Sequence, residues 1–424
     1  MLRNIWSRAM QQLLRWGAVI GPGVIVMVAD NDAGAVGTYT EAGAHYGPHL
    51  LWLLILLLPV TYFIQEMAAR LGIVTGQGHA AMIYKRFGRG WGLYSIIDLL
   101  AVNFLTLVTE FALINLVATH LGISPYVSVP LVAGGLIWLV VSSSYHRWER
   151  ATLLLCALDL GWLWVMFRTI PDIGHAVSHT FVPVIPPGGI TSSLMFLIVA
   201  IVGTTIAPWQ LFFQQSCVAD KKLRFADLKY ERLDTAIGAL VVVGMAGCMM
   251  LVGSAMDRVG AIYQDPGQMA DALSPLIGWF ASKFLLLLMC NAAILGCTAI
   301  SLSSAWAYGE VKGWKHSIDS KFSDAPRFYL ALAAFIALAA AITLIPQTPL
   351  QLVILMVQVF AGMMLPSAVI FMQLLLNDKE LLGDQYSNST WNNWVNWIII
   401  VVLFALSLLL VTQVILPGGG LQLG

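Results

Sequence analysis

The sequence predicts an all-α polytopic membrane protein in which two of the membrane-spanning helices are interrupted. The chain has 424 residues, of which 59% are apolar and only 10% are charged, against about 25% charged in an ordinary soluble domain. Apolar runs of about 20 residues, the length that crosses a bilayer, recur from end to end, and two of them contain glycine, proline and polar residues near their middle. This composition, with a formal net charge of zero, excludes a soluble enzyme and a nucleic-acid-binding protein.

Hydropathy divides the chain, one transmembrane domain over residues 1–424, into eleven spans. Their predicted ranges are 18–46, 49–71, 93–119, 124–143, 150–170, 192–219, 235–256, 276–309, 327–345, 349–376 and 393–416. Nearly all basic residues, from Arg3, Arg8 and Arg15 to Lys379, fall at one side of this topology, while Arg168 and Arg258 fall at the other. The positive-inside rule therefore predicts a cytoplasmic N-terminus and an external C-terminus in the cell membrane.

The first and sixth spans carry the predicted interruptions. The first reads GPGVIVMVADNDAGAVGTYTEAG, and its middle holds Asp30, Asn31, Asp32 and Gly34. The sixth reads FLIVAIVGTTIAPWQLFFQQS, and its middle holds Gly203, Thr204, Thr205 and Pro208. Proline removes a helix donor and glycine loosens the backbone, so both spans are expected to break at membrane depth.

The spacing of the two interruptions predicts an inverted repeat. Spans one and six lie five apart, and because five is odd, successive units of five spans have opposite orientation. We therefore expect a first repeat over residues 18–170, a second over 192–376 and an extra helix over 393–416. In such a protein the binding site lies near the membrane midplane, between the two discontinuous helices.

Two carboxylates make the first interruption the predicted site of a cation. A carboxylate at the bilayer centre costs about 2.5–3.5 kcal/mol on insertion scales, and a divalent cation between Asp30 and Asp32 would offset that cost. We expect oxygens of four further residues to complete the shell: Ala29, Thr204, Gln210 and Gln358. The residues expected to line the site are Gly34, Ala35, Ala207, Pro208 and Trp209. Helix capping by one aspartate, and an interhelical hydrogen bond by Gln358, are the alternative roles.

The third span carries a polar stripe. Asn103, Thr106 and Glu110 are spaced by three and four residues, so they share one face of an otherwise apolar helix. This face is expected to line a polar or proton pathway, with a structural hydrogen-bond network as the alternative. The chain has no GxxxxGK[ST] motif, and we expect no nucleotide, nucleic-acid partner or permanently bound cofactor.

Several of these segments resemble the Nramp family of divalent-metal transporters. The resemblance lies in the first span, in QEMAARLGIVTG at 65–76, in VGTTIAPWQLFFQQS at 202–216 and, to a lesser degree, in QVFAGMMLP at 358–366. It implies the LeuT-type fold of five plus five inverted helices with an additional eleventh helix. It also implies that the chain is a transporter and not an enzyme.

The departures from the family pattern define a narrower resemblance. The usual Asp-Pro-Gly-Asn of the first span reads Asp32 to Ala35 here, and the usual Met-Pro-His of the sixth reads Ala207 to Trp209. Leu107 replaces the usual Asp of the third span, Glu110 is kept, and Thr204 stands in place of a small Ala. This pattern resembles the magnesium-transporting branch of the family, the Nramp-related magnesium transporters.

Ligand chemistry independently favours the same cargo. A thioether favours transition metals, whereas carboxylate, carbonyl and water oxygens suit Mg²⁺, which usually retains several of its waters. We therefore predict import of largely hydrated Mg²⁺, and also of Mn²⁺, without proton coupling, although Glu110 leaves a proton relay open. The alternatives are a proton-coupled Mn²⁺/Fe²⁺ symporter and a sodium-coupled amino-acid carrier, and the second conflicts with Asp30 and Asp32.

Overall fold

The computed structural model describes residues 19–170, 173–186, 189 and 191–415, and all regular structure among them is helical. The basic segment from Met1 to Trp16, with Arg3, Arg8 and Arg15, lies outside the described residues, as does the last residue of the predicted range 393–416. The helices are α1 (Pro22–Ala29), α2 (Ala33–Tyr46), α3 (Leu51–Thr75), α4 (His79–His120), α5 (Pro125–Ser142), α6 (Tyr145–Asp159), α7 (Gly161–Thr169), α8 (Ile173–Phe181), α9 (Ser192–Thr205), α10 (Pro208–Asp220), α11 (Leu228–Ser254), α12 (Pro266–Ala272), α13 (Ser274–Ile277), α14 (Trp279–Lys312), α15 (Pro326–Ile342), α16 (Leu350–Leu376), α17 (Lys379–Leu382) and α18 (Thr390–Ile415).

The eleven predicted spans each correspond to a helix or a pair of helices. By length and composition, nine helical stretches among the described residues can cross a membrane. One of them, Ala33–Thr75, joins the second half of span one to span two, and the shorter apolar helix Pro326–Ile342 is span nine. The prediction of an all-α polytopic chain is therefore confirmed.

Three spans depart from their predicted ranges. The third span was predicted from residue 93, but α4 begins at His79 and bends at Gly88, whose φ of 87° lies in the left-handed region that favours glycine. The fifth span was predicted as one helix, but Leu160 separates α6 from α7. The seventh span was predicted from residue 235, but α11 begins at Leu228.

Both predicted interruptions are present. In the first span the chain leaves the helix after Ala29 and resumes it at Ala33. In the sixth, Ile206 and Ala207 are non-helical between α9 and α10, and Pro208 takes the first helical position, where no donor is needed. The paired breaks leave main-chain carbonyls and N–H groups at the centre of the bundle without helical partners.

Buried charges hold the start of α1. The Asp234 carboxylate on α11 accepts hydrogen bonds from Gly21 N (3.1 Å) and Gly23 N (2.8 Å). Lys221, which follows α10, donates to two carbonyls just before α1 and to Glu149 on α6 at 2.6 Å. These contacts fix α1, and with it the first break, against three other helices.

Small residues let α11 approach the first span closely. A Cβ added at Gly23 would lie 2.7 Å from Thr235 N, and one added at Gly238 would lie 2.8 Å from Gly23 O. Such contacts between backbones are the usual means of packing transmembrane helices. On the other sides of the breaks, α14 packs against α4, and α16 packs against α9 and α4.

Candidate functional site

The two helix breaks meet through a side-chain hydrogen bond. The Nε2 atom of Gln210, in the first turn of α10, donates to Asp30 Oδ1 in the first break. Asp30 and Asp32 are 1% and 2% exposed, and Asn31 between them is fully buried. The predicted convergence of the two breaks on one buried, polar location is therefore present in the structure.

Asp32 and Glu110 together hold the start of α2. Asp32 Oδ1 accepts from Ala35 N at 3.0 Å, which makes Asp32 the N-cap of α2. Glu110 Oε2, from α4, accepts from Ala33 N at 3.0 Å. Both carboxylates therefore lie at the positive end of a helix. The capping alternative applies to Asp32, whereas Asp30 contacts Gln210.

Helices α14 and α16 close the site from the other sides. A Cβ added at Gly296 of α14 would lie 2.6 Å from Glu110 Oε2 and 2.8 Å from Asp32 Cβ. The side chain of Gln358, on α16, lies directly against Gly34, and its main-chain carbonyl lies against Gly203. Gln358 thus touches the helix after the first break and the helix before the second.

Among the residues that the structure describes, no basic side chain neutralises this site. Within the described part of the chain, no Lys, Arg or His forms an ion pair with Asp30, Asp32 or Glu110. Over the same residues, no three His, Cys, Asp or Glu side chains form a cluster that could hold a metal by themselves. A cation here would therefore need main-chain, amide or water oxygens besides the carboxylates.

Several buried polar atoms beside the breaks have no hydrogen-bond partner. Within the described residues they include Asp30 Oδ2, both amide atoms of Asn31, Glu110 Oε1, Thr204 Oγ1 and Gln358 Nε2, and further unpaired atoms lie elsewhere in the bundle. Buried polar groups in folded proteins nearly always have a partner, so the atoms beside the breaks are available to a polar occupant. A cation that keeps its water can satisfy donors and acceptors alike.

Gln210 is positioned by a residue that the sequence reasoning missed. Its Oε1 accepts a 2.6 Å hydrogen bond from Gln65 Nε2 on α3, so the oxygen predicted to ligate the cation is already engaged. Gln65 is fully buried. The available sequence signal was a glutamine within the apolar second span, at the start of QEMAARLG.

Of the polar stripe on α4, Glu110 alone contacts the first break within the described residues. Asn103 Nδ2 donates to Ser304 Oγ on α14 at 2.9 Å, and Thr106 Oγ1 donates to Val102 O at 2.9 Å. These two contacts fit the structural alternative for that stripe and do not extend the site.

The neutral residues predicted to line the site fall at the two breaks. Ala35 is fully buried in the first turn of α2, and Ala207 is 2% exposed in the second break. The ring of Trp209 packs edge-on to Phe213 at a centroid distance of 6.0 Å. Trp209 therefore packs against aromatic side chains, while Ala35 and Ala207 present only small methyl groups at the breaks.

A cavity of about 730 Å³ lies at the far end of α2. Glu41, His45 and Tyr263 are among the residues that line it. Between this cavity and the first break, Tyr39 and Thr205 share a 2.7 Å hydrogen bond that joins α2 to α9. By the predicted topology, this cavity faces outward.

Comparisons with known sequences identify related proteins. The sequence profile of the Nramp family (natural resistance-associated macrophage protein-like) matches residues 23–413. The divalent metal cation transporter MntH of Verminephrobacter eiseniae is 26% identical over 297 residues, 65% of this chain and 64% of that protein. A second MntH, from Caldanaerobacter subterraneus, is also matched over slightly less than two thirds of its length, 66%. MntH of Staphylococcus aureus (strain bovine RF122) is 23% identical over 93% of this chain and 90% of its own.

Comparisons with solved structures identify the same fold. A mutant of the Eremococcus coleocola manganese transporter superposes with a TM-score of 0.78 at 19% identity, covering 95% of this chain and 88% of that one. MhsT in complex with L-phenylalanine superposes with a TM-score of 0.62 at 13% identity, covering 91% and 98%. The fold is therefore the LeuT type, with its first and sixth helices discontinuous, as the sequence predicts.

Proposed function

We propose a cargo and a mode of transport on the premise that this chain belongs to the Nramp family, as the match over residues 23–413 shows. The protein is a transporter of divalent metal ions, with Mg²⁺ as its main cargo and Mn²⁺ as a second. One observation carries this proposal: Asp30 and Asp32 are buried at a helix break and lack any basic partner among the described residues. A bound cation would offset the cost of burying two carboxylates in this position.

The donor set favours Mg²⁺ over softer metals. Ala35 and Ala207 offer neither a thioether nor an imidazole, and the polar groups nearest the breaks are carboxylates, amides and a hydroxyl. The carbonyls of Ala29 and Thr204, at the ends of α1 and α9, are further proposed ligands. Hard oxygen donors and small walls suit an ion that keeps much of its hydration shell.

Transport is proposed to run inward without protons. A divalent ion gains about 4.6 kcal/mol per 100 mV when it crosses a membrane that is negative inside, at about 2.3 kcal/mol per charge. That gain requires a location in the cell membrane, where we also propose that the N-terminus is cytoplasmic. Glu110 accepts from Ala33 N through Oε2, while Oε1 has no partner among the described residues, and we assign Glu110 to holding α2. The two five-helix repeats, 18–170 and 192–376, are the proposed units of alternating access.

Proton-coupled Mn²⁺ transport is the second candidate. It is favoured by the names of the relatives, which are divalent metal cation transporters, and of the solved neighbour, which is a manganese transporter. It is also favoured by Glu110, an acidic side chain in contact with the first break. The two candidates differ in the main cargo and in whether protons accompany the metal.

Flux measurements on the purified protein separate the two candidates. In proteoliposomes loaded with a Mg²⁺-sensitive dye and a pH-sensitive dye, we expect Mg²⁺ uptake driven by a negative-inside potential, with unchanged luminal pH. Asp32→Ala proteoliposomes provide the matched blank. Mn²⁺ uptake with luminal acidification and no Mg²⁺ uptake would replace this proposal with the second candidate.

A further inference from the structure

We propose that Gln65 is a positioning residue for the cation site, acting through Gln210 to set the geometry and ion selectivity of Asp30. This inference rests on the proposed transport of divalent cations. It concerns a side chain on α3 that takes no part in either helix break. Its role follows from a chain of two hydrogen bonds that ends on a carboxylate.

The chain of hydrogen bonds joins three separate elements. Gln65 Nε2 on α3 donates to Gln210 Oε1 on α10 at 2.6 Å, and Gln210 Nε2 donates to Asp30 Oδ1 in the first break. The three residues are at most 1% exposed. Solvent at the protein surface therefore does not compete for these bonds.

The direction of the two hydrogen bonds is set at Asp30. An ionised carboxylate only accepts hydrogen bonds, so the amino group of Gln210 must face Asp30 and its oxygen must face Gln65. Gln65 satisfies that oxygen by donating through Nε2, while its own Oε1 is buried without a partner among the described residues. Gln210 therefore holds Asp30 as a donor and is not a ligand through its side-chain oxygen.

This orientation leaves Asp30 with one engaged oxygen and one available oxygen. Oδ1 accepts from Gln210, while Oδ2 is buried without a partner among the described residues. A carboxylate fixed in this way binds a cation through a single oxygen. Mg²⁺ takes few direct carboxylate contacts in a strict octahedron, whereas Ca²⁺ accepts bidentate carboxylates in flexible shells. The two hydrogen bonds from Gln65 to Asp30 therefore favour binding of Mg²⁺ over binding of Ca²⁺.

Three variants test this inference in proteoliposomes, with Mg²⁺ and Ca²⁺ as the probes. Gln65→Leu removes the donor at similar size and is expected to raise the KM for Mg²⁺ roughly tenfold, the loss typical of one buried hydrogen bond. It is also expected to increase inhibition of Mg²⁺ flux by Ca²⁺. Gln65→Glu is expected to have a larger effect, since a carboxylate accepts from the amino group of Gln210 and turns its oxygen toward Asp30.

The control is Gln373→Leu, which removes a fully buried amide on α16 that bonds Asn388, Asn393 and Asn396, away from both breaks. We expect it to leave the KM for Mg²⁺ and the Ca²⁺ sensitivity unchanged. This control separates the effect of losing a buried amide from the effect of losing the hydrogen bonds that lead to Asp30.

A double-mutant cycle tests whether Gln65 acts through Gln210. Gln65→Leu in a Gln210→Leu background is expected to add no further change in KM, because the intermediary is already gone. Effects that multiply would overturn the inference, as would a Gln65→Leu protein with the KM and Ca²⁺ sensitivity of the wild type. If Gln65→Leu does not fold, Gln65→Glu and Gln210→Leu carry the same test by calorimetric Mg²⁺ binding. A wild-type protein that moves neither Mg²⁺ nor Mn²⁺ would instead refute the proposed function.

Discussion

The two interrupted helices use the same backbone device with opposite chemistry. The first break consists of Asp30, Asn31 and Asp32, whereas the second consists of Ile206 and Ala207. All five residues are almost fully buried. Negative charge therefore comes from one break alone, and the other supplies a neutral wall and main-chain carbonyls. On the proposed function, we expect the first break to set whether a cation binds and the second to influence which cation binds.

The two breaks also restart their helices in different ways. Helix α2 begins with a carboxylate cap, Asp32, bonded to Ala35 N, whereas α10 begins with Pro208 and has no side-chain cap. Asp32 therefore caps a helix and is also a proposed ligand of the cation, while Pro208 acts only through its backbone. Substitutions can separate these tasks because asparagine caps a helix as well as aspartate does.

The largest expected effect comes from Asp32. Asp32→Ala and Asp32→Asn are both expected to abolish Mg²⁺ flux, because each removes a charge that the cation needs. Only Asp32→Ala should also lower the free energy of unfolding, by about 0.5–2 kcal/mol, the range for loss of an N-cap. Flux in proteoliposomes and thermal unfolding in detergent measure the two effects. Retained flux in folded Asp32→Asn would remove Asp32 from the site.

Asp30 is expected to have the next largest effect. Asp30→Asn keeps the size of the side chain but removes one of two charges, so some flux should remain at saturating Mg²⁺. We expect the KM for Mg²⁺ to rise by about ten- to a hundredfold, the range for losing a charged contact of about 1.5–3 kcal/mol. An unchanged KM would mean that Asp32 binds the cation without Asp30.

A substitution in the second break should change which cation is preferred but should not abolish cation binding. Ala207→Met introduces a soft sulfur ligand, and the ratio of Mn²⁺ to Mg²⁺ flux is expected to rise about tenfold because thioethers favour transition metals. Ala207→Leu, of similar size without sulfur, is the matched control. Equal shifts in the two variants would mean that the volume of the side chain matters and its chemistry does not.

The smallest effect is expected at Glu110. Glu110→Gln keeps an oxygen that can accept from Ala33 N, so Mg²⁺ flux should stay within about threefold of wild type, less than 1 kcal/mol. Glu110→Ala removes that acceptor and should reduce flux further. If wild-type uptake acidifies the lumen, contrary to our proposal, loss of both flux and acidification in folded Glu110→Gln would identify Glu110 as a proton carrier.

The breaks were predictable from sequence because their signals are local. Glycine, proline and paired aspartates inside apolar spans mark the positions where the backbone leaves the helix. The breaks between Ala29 and Ala33 and between Thr205 and Pro208 could therefore be predicted from the sequence alone. The all-α fold and the family resemblance follow from the same segments. The bend at Gly88 and the interruption at Leu160 were not predicted, because a single glycine or leucine in a helix has no fixed meaning.

Contacts between helices could not be predicted from the sequence. Each hydrogen bond from Gln65 to Gln210 and from Gln210 to Asp30 joins residues more than a hundred positions apart. The periodicity of a single helix contains no information about such pairs. Likewise the spacing of the polar stripe on α4 could not show that Asn103 bonds Ser304 while Glu110 accepts from Ala33 N. Which helix packs on which face decides these pairings.

The most direct test of the central claim is a structure determined with saturating Mn²⁺, whose anomalous signal locates the ion. We predict one ion between the two breaks, near the carboxylates of Asp30 and Asp32 and opposite Ala207, with ordered waters in its shell. At about 2.0–2.2 Å an oxygen is a direct ligand of an ion of this size, and a longer separation indicates an intervening water. An ion bound elsewhere, or none at the breaks at saturating concentration, would contradict the account.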